Sequence, residues 1–395
     1  MASKRILLVV LMFAVCALVG CGKPAKKAAG PAETEGKAPY VIGAIFSTTG
    51  PAAPLGVPED MTVKMLEKKI NDGGGIDGHP IEVEVYDDQG KPEEAKMACE
   101  KLLGSKDVVA IIGPTLSGTS LTITQMCQDA GMPLVSCAAS VKIVEPVKPY
   151  VFKTAQTDSL AVTKLLDYLT AKGIKTVAFI NDSNAFGQSG REQWGILSKA
   201  AGIKTVAEES FGTNDTNVTP QLTKIKAKNP GAVVCWGTNP GPAILAKDMR
   251  KLGMKQPLFM SHGVANKTFI ELAQDAGEGV MFPAGKLLIA DVIPDTDPRK
   301  EVLLAYAADF PAANEGRSAD TFGGHAYDAL MLVVDALTAV GPDKAKMRDH
   351  LEGVKDFKGI SGVFNFSPTD HAGLTKDAFA FVEIKGGKWV PVEMK

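Results

Sequence analysis

The sequence predicts an α/β protein built from two doubly wound lobes. Three observations carry that expectation. From Pro39 onward, short runs rich in β-branched residues alternate with amphipathic segments. Most of the strand-like runs are apolar along their whole length, as strands covered on both faces of a parallel sheet must be. The alternation then restarts after Val151-Phe-Lys-Thr154, so two series of the same kind follow each other.

The elements can be placed in order. Val41–Phe46 reads as a buried strand. Pro58 suits a helical first turn, with Glu59 and Asp60 set against the helix dipole. Val63, Leu66 and Ile70 recur at helical spacing, and Gly73 ends that helix. Ile81, Val83 and Val85 alternate as a strand. Pro92 starts a helix to about Leu103, Val108–Ile112 is a strand, Ser117–Ala130 a helix, and Leu134–Cys137 a strand. In the second series helices are expected over Ser159–Lys172, Phe186–Ala201, Thr219–Lys228, Pro242–Leu252 and Lys267–Asp275. Strands are expected over Thr176–Asn181, Lys204–Phe211, Ala232–Gly237 and Leu258–Ser261. The last hundred residues hold helices near 298–309 and 322–340 and a strand over Ala378–Ile384, read as additions to both lobes.

The N-terminus carries an address. Lys4 and Arg5 precede an apolar run, Ile6–Val19, which ends in Leu18-Val19-Gly20-Cys21. A charged start, a short apolar stretch and small residues at the cut describe a secretory signal, too short for a typical membrane span. The Leu-x-Gly-Cys ending resembles the bacterial lipobox, which implies cleavage before Cys21 and lipid on that cysteine. An ordinary signal with an incidental cysteine is the alternative. Residues 1–20 are therefore expected to be a lipoprotein signal peptide, and residues 21–38 a lipidated cysteine with a flexible tether. The protein is expected in the periplasm or cell envelope, held at a membrane by lipid alone. About 355 residues remain, enough for two domains.

The chain has 395 residues, 45% hydrophobic and 22% charged, with a net charge of −2. Losing the signal makes it more negative by two charges, which is no nucleic-acid footprint. Cys99, Cys127, Cys137 and Cys235 show no C-x-x-C spacing and have no histidine partners, which argues against zinc. Whether they pair or stay free is open at this point.

Two glycine-rich segments tempt a nucleotide reading. Gly73-Gly-Gly-Ile-Asp-Gly78 matches G-x-G-x-x-G but follows a helix and precedes a strand, the reverse of the dinucleotide fingerprint. Gly113-Pro-Thr-Leu-Ser-Gly118-Thr-Ser120 follows a strand and opens a helix, yet lacks the P-loop lysine. Free N–H groups and hydroxyls at that helix start still suit a small anion such as a carboxylate. The plainer reading is that Ser117 caps the helix. Ser136-Cys-Ala-Ala-Ser140 follows the next strand, so Ser117 and Ser140 fall on neighbouring strand ends, where open α/β sheets bind ligands. No H-E-x-x-H, G-x-S-x-G or paired carboxylates occur, and the five histidines are scattered. No enzyme, cofactor or metal is expected.

Several segments together carry a resemblance. Phe46-Ser-Thr-Thr-Gly50-Pro51 with Gly56, Ile70–Gly78, and Tyr86-Asp87-Asp88 begin it. Ile112-Gly113 with Ser117, Val135-Ser136 with Ala138-Ala139-Ser140, Phe186-Gly187, Gly263–Asn266 and Tyr327–Leu330 continue it. Over about residues 40–390 the chain resembles the leucine/isoleucine/valine-binding protein family, the type I periplasmic solute-binding proteins of ABC transporters. The resemblance implies two Rossmann-like lobes joined by three crossovers, near Thr154–Asp158, Phe282–Lys286 and Gly359–Phe366. It places residues 39–156 plus 286–360 in the first lobe and 157–285 plus 361–395 in the second. It implies a monomer that closes by hinge motion on a small ligand, then meets a permease powered by an ATPase.

The resemblance also implies a site. Ser117 and Ser140 match hydroxyls on the ligand carboxylate, and the Ala138 carbonyl, beside Ala139, matches a contact to its ammonium. Leu55 and Phe186 fall where related binders have tyrosines. Thr238, beside Trp236, matches another second-lobe contact, and Phe322 an aromatic of the side-chain pocket. His262 departs from the pattern, standing where amino-acid binders place an acid. Asp182 or Asp215 could compensate, the ligand could lack an ammonium, or His262 could lie behind the site or on an exposed loop. The expected ligand is a small carboxylate: an apolar or branched amino acid, or alternatively an aromatic or other amine-free acid. A ligand-sensing receptor of the same fold is the other functional alternative.

Overall fold

The computed structural model describes residues 37–393. The signal peptide, Cys21 and most of the tether lie outside the described residues.

The first series folds as β1 (Tyr40–Phe46), α1 (Ala53–Asp72), β2 (Ile81–Asp87), α2 (Pro92–Gly104), β3 (Val108–Ile112), α3 (Ser117–Ala130), β4 (Leu134–Ser136) and β5 (Val151–Lys153). Its strands form a parallel sheet of order β2-β1-β3-β4-β5. Alternate residues of one strand serve opposite layers. Ile42, Ala44 and Phe46 pack with apolar residues of α1, whereas Val41 and Ile45 pack with those of α2 and α3. Burying one such side chain stabilises the fold by roughly 1.5–3 kcal/mol, which is why the strand reads as an unbroken apolar run.

The second series runs α4 (Asp158–Ala171), β6 (Thr176–Asp182), α5 (Ala185–Ala200), β7 (Lys204–Phe211), α6 (Thr219–Ala227), β8 (Ala232–Trp236), α7 (Gly241–Lys251), β9 (Leu258–Met260), α8 (Lys267–Ala273) and β10 (Met281–Gly285). The chain continues through α9 (Lys300–Ala313), α10 (Thr321–Val340), α11 (Lys344–Gly353), a small hairpin of β11 (Phe357–Lys358) and β12 (Val363–Phe364), then β13 (Phe379–Lys385) and β14 (Lys388–Pro391). The second sheet has the order β14-β13-β10-β9-β8-β6-β7. It is parallel apart from β13, which pairs antiparallel with β10 and β14. Again Val177 and Phe179 face one apolar layer and Ala178 and Ile180 the other. Among the described residues no helix is long and apolar enough to cross a membrane.

Three expectations need correction. Helix α1 starts at Ala53, with Pro54 in its first turn, so Pro58 lies inside it. Pro58 has no N–H to offer the Pro54 carbonyl. Asn266 Nδ2 donates to that oxygen instead, at 3.5 Å. Glu59 is consequently not at the helix start; it is buried and bonded by Thr115. Second, Phe282–Lys286 is not a bare crossover. Nearly all of it is β10, and the chain leaves the sheet only after Gly285. Third, the last crossing falls later than Gly359–Phe366. Phe364, Phe366 and Leu374 pack beside the first sheet, and Lys153 N donates to His371 O, so the chain crosses between Leu374 and Phe379. The glycine-rich turn at 73–78 behaves as expected. Gly73 ends α1, and Gly75 takes φ +72° where a Cβ would lie 2.1 Å from the His79 carbonyl oxygen.

Candidate functional site

The loops at the carboxyl ends of both parallel sheets meet at one cavity of about 330 Å³. Leu55 follows β1, Gly90 and Pro92 follow β2, Thr115–Thr119 follow β3, and Cys137–Ala139 follow β4. From the other sheet come Asn184–Phe186 after β6, Thr238 after β8 and His262 after β9. Helix α10 adds Phe322 and His325 from its first turns, where Asp320 accepts hydrogen bonds from the Phe322 and Gly323 N–H groups at 3.0 Å. This is where open α/β sheets bind ligands.

One wall is the start of α3. Gly113 makes the turn into it, with φ +82° and room for no Cβ, which would lie 2.2 Å from the Ile45 carbonyl oxygen. Leu116 is the residue before the helix, and no side chain caps it. Ser117 is therefore the first helical residue and not the cap. Ser117 lines the cavity, and its hydroxyl accepts from Ser140 N at 3.2 Å. The uncapped N–H groups carry the positive end of the helix dipole.

The opposite wall is aromatic. Asn184 caps α5 by accepting from Gly187 N at 2.9 Å, which fixes Phe186 in the first helical turn. His262 sits in a short turn held by Ser261, whose hydroxyl accepts from Gly263 N and donates to Gly237 O. The His262 ring meets Phe186 and Phe379 edge-on, with centroids 5.5 and 5.4 Å away. His262 is 7% exposed, and neither ring nitrogen makes a hydrogen bond of good geometry. Burial, aided by the Lys153 charge, lowers its pKa to about 3; a weak interaction with the Gln156 carbonyl favours the protonated ring but does not offset this. His325 is held neutral in the same way, at about 3, while its Nδ1 lies 2.8 Å from Ser361 Oγ. Lys153 is fully buried beside the first crossing, donates to the Ala155 carbonyl, and has its pKa lowered by desolvation to about 7.

Of the residues expected at the ligand, Leu55, Ser117, Ala138, Ala139, Phe186, Thr238, His262 and Phe322 line the cavity. Ser140 and Trp236 do not. The Ser140 hydroxyl turns away to Ser189 Oγ, 2.8 Å distant on α5, and accepts from Lys142 N. Trp236 stands fully buried behind the wall, 5.9 Å from the Phe186 ring and 6.0 Å from His262, with its Nε1 unpaired. The suggested compensating acids are also elsewhere. Asp182 accepts from Thr213 Oγ1 and Asn184 N, and Asp215 from Gly212 N; neither faces the cavity. Thr115, Thr119, Asn184 and His325 were not singled out from the sequence. The first two lie in a loop that was; nothing in sequence tied His325 to it. The four remaining cysteines are free and buried, with Cys99 and Cys127 sulfurs 3.8 Å apart.

Loops and helices flanking the two sheets touch directly beside the cavity. Besides Ser140–Ser189, Lys142 pairs with Glu192 at 2.6 Å, and Thr321 Oγ1 donates to Ala265 O at 3.0 Å.

A family model described as periplasmic binding protein matches residues 39–388. The chain belongs to the periplasmic binding protein family. Among curated members, it is 26% identical over 360 residues to the Leu/Ile/Val-binding protein BraC3 of Rhizobium johnstonii, covering 90% of this chain and 94% of that one. Among solved structures it resembles an extracellular ligand-binding receptor from Rhodopseudomonas palustris HaA2, with TM-score 0.85, 28% identity, and 90% and 100% of the two chains covered. A branched-chain amino acid transporter substrate binding protein, LivJ of Streptococcus pneumoniae, solved with isoleucine, shares the fold at TM-score 0.77 and 24% identity, over 90% and 100% of the chains. Periplasmic binding proteins are extracytoplasmic solute-binding proteins, and the resemblance to the Leu/Ile/Val-binding type extends across the folded part of this chain.

Proposed function

We propose that the protein is the receptor subunit of an ABC transporter and that it captures a small carboxylate between its lobes. The observation that carries the reading is the uncapped start of α3, with the Ser117 hydroxyl, opening on a largely apolar cavity at the meeting of both sheets. Backbone N–H groups and a hydroxyl there suit one carboxylate, and the apolar walls suit a small body attached to it. Hinge closure would bury the ligand and present both lobes to a permease driven by an ATPase. A lipid on Cys21 and the following tether would hold a monomeric receptor near that permease. Relatives named for leucine, isoleucine and valine make an apolar amino acid the default ligand.

Replacing Ser117 by Ala tests the reading. Losing a hydrogen bond to a charged group should weaken binding of a monocarboxylate by roughly 1.5–3 kcal/mol, about 10- to 150-fold. Calorimetry showing unchanged affinity would sink the assignment.

A further inference from the structure

Among the described residues, those that wall the cavity include no Asp, Glu, Lys or Arg. A carboxylate still finds a partner in the positive end of α3. An ammonium group finds no opposite charge. It would lose its water and meet hydroxyls, carbonyl oxygens and two neutral imidazoles, without the negative charge that makes such a site favourable. Two acids stand one layer back. Thr115 lies between the cavity and Glu59, to which it donates its hydroxyl proton, and burial raises the Glu59 pKa well above normal. Asp88 is engaged by Ser47 Oγ at 2.6 Å and Gly90 N at 2.8 Å, and burial raises its pKa too. On the far side lies Lys153, with its pKa lowered to about 7 and Asp158 beside it; it lowers the proton affinity of both His262 and His325.

His262 adds an independent observation. It is more than nine-tenths buried, faces the cavity, and has two ring nitrogens without a well-formed hydrogen bond. A neutral imidazole offers one donor and one acceptor. The Gln156 carbonyl gives at most one of the two nitrogens a poorly aligned partner, and leaving the other unused in a buried wall is costly, so the ligand is expected to supply a polar atom there.

We propose that the cavity selects an amine-free monocarboxylate with an apolar body and a neutral hydrogen-bonding group that meets His262. This rests on the carboxylate reading of the α3 wall.

Matched pairs differing in the amine test it: leucine against 4-methylpentanoate, phenylalanine against 3-phenylpropanoate, and tyrosine against 3-(4-hydroxyphenyl)propanoate. Thermal shift followed by calorimetry on the mature protein gives the ratios. The deaminated member is expected to bind tighter by about 10- to 150-fold, the worth of a charge-assisted hydrogen bond that the amine cannot make here. The hydroxyl-bearing acid should outbind its unsubstituted partner. Tighter binding of any amino acid than its deaminated partner overturns the proposal while leaving the carboxylate reading intact. Tighter binding of the corresponding primary amides than of the acids overturns the carboxylate reading itself. A panel in which no acid binds at millimolar concentration also overturns the proposal. His262→Asp should shift preference toward the amino acids by tenfold or more, and an unchanged preference in the folded variant counts against the proposal. His262→Asn keeps a neutral donor and acceptor and should retain the parent preference, which gives a second arm if the aspartate variant does not fold.

Discussion

Acid should destabilise this protein through His262 in a way that one substitution can isolate. The folded state holds the imidazole neutral down to about pH 3, because burial penalises the cation and Lys153 lies nearby. The unfolded chain protonates it below its ordinary value of 6.5. A depressed basic pKa means that stability is lost as pH falls through the unfolded value and continues to fall toward the folded one. At pH 5 the unfolded histidine is almost fully charged and the folded one is not. The loss between pH 7 and pH 5 is then about 2 kcal/mol, at 1.36 kcal/mol per pH interval below 6.5. The figure depends only on the folded value lying well under 5. His262→Phe should remove it while keeping an aromatic ring against Phe186 and Phe379. Urea unfolding of both proteins at pH 7 and pH 5 measures the difference. Glu59, Asp320 and Asp328 have raised pKa values and act in the opposite direction, but they are common to both proteins and cancel. If parent and variant lose the same free energy on acidification, the imidazole is not held neutral and the account of the wall is wrong.

Other outcomes follow from single contacts. Ser140→Ala should lower ligand affinity by less than about tenfold, and less than Ser117→Ala does, because its hydroxyl bridges to Ser189 and acts on closure through one ordinary hydrogen bond. Gly187→Ala should cost about 1–3 kcal/mol, read as a lowered Tm, since the new Cβ would lie 1.9 Å from the Asp182 carbonyl oxygen. Cys99, Cys127, Cys137 and Cys235 should resist alkylation in the native protein and react after unfolding, as mapped by mass spectrometry. The contact with Cys99, together with burial, raises the Cys127 pKa, and burial raises those of Cys137 and Cys235, so thiolate is scarce as well as inaccessible.

The fold was legible where residues repeat a period long enough to see. The apolar run Val41–Phe46 announced a strand covered on both faces, and Lys204–Phe211 has the predicted limits. Short elements were not legible. Helix α11 buries only Met347 and Leu351, one turn of pattern within a charged segment. Strand β14 is a four-residue edge after Gly386-Gly387. The start of α1 was misplaced because Pro58 is tolerated inside it, with Asn266, more than two hundred residues away, taking the carbonyl that the proline cannot serve. The site followed the same rule. Ser117 opens the helix after β3, where local pattern suffices, whereas Ala138, after β4, was reached through the family resemblance. The direction of the Ser140 hydroxyl, the reach of His325 from α10 and the lack of an acid around His262 depend on which segments meet across the two sheets.

Trp236 gives the site an optical reporter. The indole is shielded from water and lies against the back of Phe186 and His262, the two rings that meet the ligand space from this side. Gly190 leaves no room for it to move freely, since a Cβ there would lie 2.1 Å from its Nε1. An occupant that shifts either wall ring therefore changes the surroundings of a fixed indole, and loading can be followed without any label as the intrinsic fluorescence that a Trp236→Phe variant loses, since Trp194 and Trp389 also emit.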